Sequence, residues 1–356
     1  MKHAIFTISY TLLLLTESFS QAPSSVIPDR ARDLTPEALS AVIVISGEKG
    51  SGTGFFCRNK DRVFVITNQH VLAGNSNVEF KTQRGEAIPM KAIYVAESAD
   101  IVIIEPRNIP EYVVPLEVLE TPESNVTKDD AVVIPGNSKG DGVITQTQGK
   151  LVGFGPQRVE VDNPVYPGNS GSPIIDLESG KVIGVLTEAK LISLNAFEKA
   201  SFRSKQSSIK SEIRYFGHRI DSVEKWTPLD WKSFQESDRL LEQSWNELLY
   251  IDSYFTDSSD AYKNFRELHE AANSHLEIWE SASHSEADKI KALNGFMRHI
   301  SSMAQKARRR VEQRQFAYIH RSKFKDIADL SERLTGGTEI ASRDIDLIVV
   351  LLQRGN

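Results

Sequence analysis

The 356-residue chain has one cysteine, Cys57, so no disulfide can form within it and its stability must come from packing. It has no excess of positive charge: 42 Lys and Arg stand against 48 Asp and Glu, a net charge of −6. A basic surface over the whole chain is therefore excluded, and nucleic acid is not an expected partner. After the first residues no apolar run approaches the roughly 20 residues that a membrane helix needs. The histidines at 269, 275, 284, 299 and 320 are spaced irregularly and make no metal site, so no metal is expected. Gly50-Ser51-Gly52-Thr53-Gly54 lacks a downstream lysine at nucleotide-loop spacing and leads into strand residues, so it is no phosphate cradle. Glycine also almost vanishes between about residue 196 and Gly295, which divides the chain into two regions of different character.

What is present begins with a leader pattern. Lys2 and His3 precede the mainly apolar stretch Ala4–Leu15, and Ser20-Gln21-Ala22 places small residues where a signal peptidase cuts. Residues 1–22 are expected to be a signal peptide, and the protein to be exported to a bacterial periplasm or cell exterior. No cysteine adjoins the cleavage region, which argues against a lipoprotein anchor. Residues 36–195 carry short runs such as Ala41-Val42-Ile43-Val44-Ile45 and Val63-Phe64-Val65-Ile66-Thr67, split by glycine and polar turns. Intervals of that length with no helical period predict antiparallel strands in a barrel or sandwich. They fall into a first set at about 38–110 and a second at about 128–195. Residues 1–196 hold 17 basic and 23 acidic side chains, whereas 197–356 hold 25 of each, so the strand-rich part is the acidic one.

Residues 196–225 are expected to be a linker, and 226–356 a helical accessory domain. Phe234, Leu241, Trp245, Leu248 and Leu249 mark one stripe, and Ile290, Leu293, Met297, Ile300 and Ala304 another. Ala261–His284 and Ile340–Leu352 are weaker candidate segments, and Gly336-Gly337 is a helix stop. Lys306, Arg308, Arg309, Arg310, Arg314, Arg321, Lys323 and Lys325 face only Glu312 across residues 306–325, a local balance of +7. That run is either a solvated helix face or a surface for an anionic polymer, a lipid surface or the chain's own acidic part. The apolar helix faces could also be shared between chains as a homo-oligomer.

The chemistry lies in Pro167-Gly168-Asn169-Ser170-Gly171-Ser172-Pro173. A serine between glycines ahead of Ile174-Ile175 can expose its hydroxyl on a tight turn, and Gly168 lets the backbone aim N–H groups at one oxygen. Alone, this could be an ordinary Gly/Ser turn. Upstream, however, His70 in Thr67-Asn68-Gln69-His70-Val71 and Asp100 in Ala99-Asp100-Ile101-Val102 each adjoin an apolar run. Ser170 would attack, His70 would accept and return the proton, and Asp100 would hold the far ring nitrogen. The N–H groups of Gly168 and Ser170 would form the oxyanion hole. The competing reading of Asp100 is a turn aspartate beside a strand.

These segments, with Gly50–Phe55 and Gly180-Lys181-Val182-Ile183-Gly184-Val185, resemble the chymotrypsin-like serine peptidases, within them the bacterial trypsin-like or high-temperature-requirement type. The order His70, Asp100, Ser170 is that family's. The resemblance covers about residues 38–190. It implies an all-β double barrel, two antiparallel six-stranded barrels, followed here by a mainly α-helical C-terminal domain, with endopeptidase activity on protein or peptide and no cofactor. No PDZ-like sequence follows residue 190. By the same resemblance Pro164 occupies the pocket-floor position where trypsins carry aspartate, so strict cleavage after Arg or Lys is not expected, although the acidic Asp162 and Glu188 could still touch the groove. Thr187, Glu188 and Ala189 match the strand edge on which substrates lie. Cys57, whose usual disulfide partner position is Val71, is expected to be a free buried thiol. Two rival readings keep the same fold: a catalytically silent peptide-binding module, and a serine esterase.

Overall fold

The computed structural model describes residues 33–193, 211–253, 285–312 and 316–336. The leader, the segment Ala261–His284 and the final segment Ile340–Leu352 lie outside them. A short helix, α1 (Pro36–Ser40), starts the described chain. Thr35 caps it by accepting the Ala38 N–H, and Pro36 sits in its first turn, where no N–H is needed. The β-branched run then forms β1 (Val42–Gly47), followed by β2 (Ser51–Asn59) and β3 (Arg62–Thr67). A four-residue helix, α2 (Gln69–Leu72), carries His70. The first set continues with β4 (Val78–Thr82), β5 (Met90–Ala96), β6 (Val102–Pro106) and the two-residue β7 (Leu116–Glu117).

The second set comprises β8 (Ala131–Gly136), β9 (Thr145–Phe154), β10 (Arg158–Val161), β11 (Pro173–Asp176), β12 (Val182–Ser193) and β13 (Ser211–His218). It closes into a six-stranded barrel in the order β10-β13-β12-β11-β8-β9. β13 lies within the stretch 196–225 and is the strand through which β12 reaches β10.

The expectation of two barrels is corrected by the first set. It forms an open eight-stranded sheet, ordered β14-β5-β6-β3-β2-β1-β4 with β7 pairing β2, and its two ends do not meet. One end is β14 (Trp226–Pro228), which follows the barrel in sequence and pairs with β5. At the other end β4 is covered by its own return segment. Lys81 bridges Ala87, and the Ile88 N–H donates to Phe80 O at 2.9 Å. On β4 the outward Phe80 O and Thr82 N–H are satisfied by this return segment, so that edge is capped instead of joined.

Among the described residues three long helices follow: α3 (Trp231–Ser253), α4 (Glu286–Glu312) and α5 (Tyr318–Gly336). Leu241, Leu248, Ile300, Ala304, Ile327 and Leu330 form their shared core. The side chains of Ile290, Leu293 and Met297 are outside the described set. Leu249 is exposed and is not part of the buried stripe. Phe234, at the start of α3, is buried in the core of the first sheet, so the helices are continuous with it. Among the described residues no helix is long and apolar enough to cross a membrane.

Candidate active site

His70 and Asp100 come together at the ends of β3 and β6. The Asp100 carboxylate takes both N–H groups that His70 offers on that side. Its Oδ2 is 2.5 Å from the ring Nδ1, and its Oδ1 accepts the His70 backbone N–H at 3.1 Å. Asp100 is buried, whereas about a third of the His70 side chain is exposed. A ring that donates from Nδ1 to a carboxylate keeps its lone pair on Nε2, the tautomer a general base requires. Burial is the strongest single influence on His70 and lowers its pKa, but the Asp100 charge, its hydrogen bond and the Glu188 charge together leave it raised.

Ser170 sits on the turn between β10 and β11. Gly168 has φ +93° and Gly171 φ +84°, conformations that side chains rarely adopt. An added Cβ would stand 2.0 Å from Asn137 O at Gly168 and 2.1 Å from Thr53 O at Gly171, so both positions are crowded as well as strained. The neighbouring turn bonds are made by other groups: Asn169 N–H to Tyr166 O, Gly171 N–H to Leu186 O and Ser172 N–H to Asn169 O. Among the described residues neither Gly168 N–H nor Ser170 N–H donates to a protein acceptor.

Thr53, part of the Gly50–Gly54 motif, pegs this turn to the first sheet. Its hydroxyl donates to Gly168 O at 2.8 Å and accepts the Asn137 N–H at 2.9 Å, and its backbone N–H donates to Ser170 O at 2.8 Å. Thr67 on the adjacent strand donates to Thr53 O at 2.7 Å. Sequence alone did not reveal this role, because a threonine between glycines reads as turn chemistry. Thr53→Val keeps the shape and removes the hydroxyl, leaving two buried groups without partners. A loss of about 2–3 kcal/mol in urea unfolding is expected.

Asn68 links the two halves, donating from Nδ2 to Asp100 O at 2.7 Å and to Thr187 Oγ1 at 3.1 Å. Thr187 is the extra residue at a register shift in β12, between Leu186 paired with Gly217 and Glu188 paired with Phe216. The bulge turns its hydroxyl toward Asn68. Beyond it, Glu188 and Ala189 pair only with β13, while β11 ends its pairing at Val185. Among the described residues, one edge of β12 beyond Leu186 therefore has no strand partner beside the serine turn. Glu188 is paired with Arg158 and Lys190 and is not a free acid. Pro164 is exposed on the approach to the turn, and nearby Asp162 is tied to the Lys150 N–H at 2.5 Å. His218 of β13, which no sequence signal marked, is buried nearby; burial chiefly lowers its pKa, against the pull of Asp100 and Glu188.

Cys57 is buried, and burial, aided by Glu117, pushes its thiol up to about 12, so it is not a nucleophile. Among the described residues no group of His, Cys, Asp and Glu is arranged to hold a metal ion. The basic run is divided in its contacts. Arg310 pairs with Glu247 inside the helical layer, Arg308 with Glu312 along α4, and Arg321 lowers the pKa of Glu97 as the last of several causes led by hydrogen bonds from Lys225 and Thr227.

The serine turn and the histidine held by a buried carboxylate both fall within the stretch that known proteins match. A family model described as the trypsin-like peptidase domain matches residues 52–185. Over 145 residues the chain is 29% identical to serine protease HTRA1A of Danio rerio, covering 38% of this chain and 30% of that protein. Over 215 residues it is 26% identical to the serine protease Do-like HtrB of Bacillus subtilis, covering 50% and 45%. Among solved structures it is similar to Rv3671c from M. tuberculosis H37Rv in an inactive form, with a TM-score of 0.39 and 21% identity over 52% of this chain and 84% of that one. The chain spans about a third of the length of the first curated relatives it matches. Residues 52–185 thus resemble a trypsin-like serine peptidase domain and the bacterial Do-like HtrA proteases, and among the described residues the helices α3, α4 and α5 follow that stretch.

Proposed function

We propose that the protein is an exported serine endopeptidase in which Ser170 attacks a peptide carbonyl, His70 moves the proton and Asp100 orients His70. The single observation that carries the reading is the double engagement of His70 by the buried Asp100. Peptide capture alone requires no such pair. The reaction balances as two acyl transfers. The Ser170 oxygen bonds the carbonyl carbon as its proton passes to His70 Nε2, and His70 returns that proton to the amine as the peptide bond breaks. Water then attacks the ester, giving up a proton to His70, and the carboxylic acid leaves as Ser170 regains its hydrogen. The N–H groups of Gly168 and Ser170 hold the charge on the carbonyl oxygen at each stage.

A raised His70 pKa fixes the sign of the pH dependence. His70 works only when neutral, so kcat/KM falls as pH drops through its pKa. The acid limb of the profile is expected above the ordinary histidine value of about 6.5. A limb at or below that value would contradict the assigned charge environment.

The substrate is a protein or peptide laid along the free edge of β12 at Thr187–Ala189. By resemblance Pro164 stands where trypsins carry aspartate, Glu188 is paired with Arg158, and Asp162 accepts the Lys150 N–H. Cleavage after small or medium apolar residues is expected. Mapping of cut sites in a denatured protein mixture by mass spectrometry tests this, and predominant cleavage after Arg or Lys would refute it. Export is read from residues 1–22; an amino terminus found near Pro23 in the mature protein is the expected result.

A further inference from the structure

Three successive residues at the start of α5 engage three different parts of the frame around His70. The Tyr318 ring meets His218 edge-on with centroids 5.9 Å apart. The Ile319 N–H donates to Gln69 Oε1 at 3.3 Å. His320 Nε2 lies 2.8 Å from Asp238 Oδ1, with its ring tilted against Phe234 at 4.8 Å.

Helix α3 completes the grip. Asp238 accepts the Gly74 N–H on its other oxygen at 2.8 Å, and Gln235 donates to Asn75 O and Ser76 O at 3.3 and 2.6 Å. The helix that carries His70 is thus held from the helical side at its first residue and again just beyond its last. Gln69 is the joint between the two layers. Its buried amide donates to the carbonyls of Ala96, Ala99 and Ile101 at 2.9, 2.9 and 3.2 Å, which bracket Asp100 along the chain. With acceptors on the nitrogen and a helix donor on the oxygen, the amide has one orientation. The donor it receives is an N–H of the first helical turn, which has no partner inside its own helix.

We propose that the helical layer sets the catalytic geometry: α3 and α5 hold His70 against Asp100 through Gln69 and Asp238, which makes both positioning residues. This rests on the peptidase reading above. Neither side chain touches the reacting atoms. Catalysis nevertheless depends on their placement, since a displacement of about 1 Å at a catalytic group can cost on the order of 10²-fold in rate.

The test uses the full chain with Asp238→Ala, Asp238→Asn and Gln69→Leu. In Asp238→Ala and Gln69→Leu, kcat is expected to fall about 10- to 100-fold with KM changed less than about twofold, because the β12 edge is untouched. The acid limb of kcat/KM should move down, since His70, faced by Asp100 and Glu188, loses its firm contact with the carboxylate. Asp238→Asn should recover part of kcat, because its amide oxygen can still accept the Gly74 N–H. The His70 Nδ1–H proton resonance gives a readout that needs no turnover. It should broaden or vanish in Asp238→Ala and return in Asp238→Asn. An unchanged resonance, or a loss of melting temperature with kcat and the pH limb unmoved, would overturn the clamp. A wild-type chain that shows the resonance yet neither cleaves nor labels would overturn the peptidase reading and leave the clamp standing.

Discussion

Asp100→Asn is expected to lower kcat/KM about 10⁴-fold while leaving the fold in place. The Asp100 carboxylate accepts from both the ring and the backbone of His70, and the backbone bond can survive the substitution on the remaining amide oxygen. The ring contact cannot. An amide N–H aimed at Nδ1 selects the tautomer that carries its proton on Nε2, and such a ring has no lone pair to offer Ser170. The loss is therefore one of proton placement. Circular dichroism and the urea midpoint should change little while turnover collapses. A loss smaller than about tenfold would mean that Asp100 is not the group orienting His70.

Gly168→Ala is expected to damage both stability and turnover. With φ at +93°, any side chain at this position is strained, at a cost of about 1–3 kcal/mol. The added methyl would also stand 2.0 Å from Asn137 O and 2.8 Å from Gly140 N, both backbone atoms that cannot swing aside. The turn must shift, and the N–H groups of Gly168 and Ser170 shift with it. Loss of one oxyanion donor lowers kcat by roughly 10²–10³-fold. Gly180 is a control, because its φ is +68° but nothing lies within 4 Å of its missing Cβ. Gly180→Ala should cost only the local strain and leave kcat unchanged. Equal effects of the two substitutions would show that strain, and not the position of the donors, accounts for the result.

The parts of the candidate site were legible because each is local. A glycine–serine turn ahead of an apolar strand, and a histidine and an aspartate each beside an apolar run, are patterns confined to a few residues apiece. The contacts that hold the parts together are not local. Thr53 reaches Gly168, Asn68 reaches Thr187 and Gln69 meets Ile319 across 115, 119 and 250 positions. No periodicity records such pairings. The same limit explains the first sheet. Its strands were readable from β-branched runs, but closure depended on how β4 and β14 end. Residues 226–228 follow the barrel in sequence, and only the structure shows them pairing with β5. The strand Ser211–His218 adjoins a polar stretch whose composition reads as a linker, although Ile213, Tyr215 and Phe216 lie within it. Helices were easier to find, because an apolar stripe repeats within one segment. Their attachment to the histidine helix was not, because it rests on single polar side chains.

The central claim is that Ser170 is a nucleophile activated by His70. Labelling of the folded full chain with a fluorophosphonate, with the modified peptide identified by mass spectrometry, tests it most directly. One adduct per chain on Ser170 is expected, absent in Ser170→Ala and strongly slowed in His70→Ala. A folded wild-type chain that forms no adduct at Ser170, or one that labels equally without His70, would contradict the account.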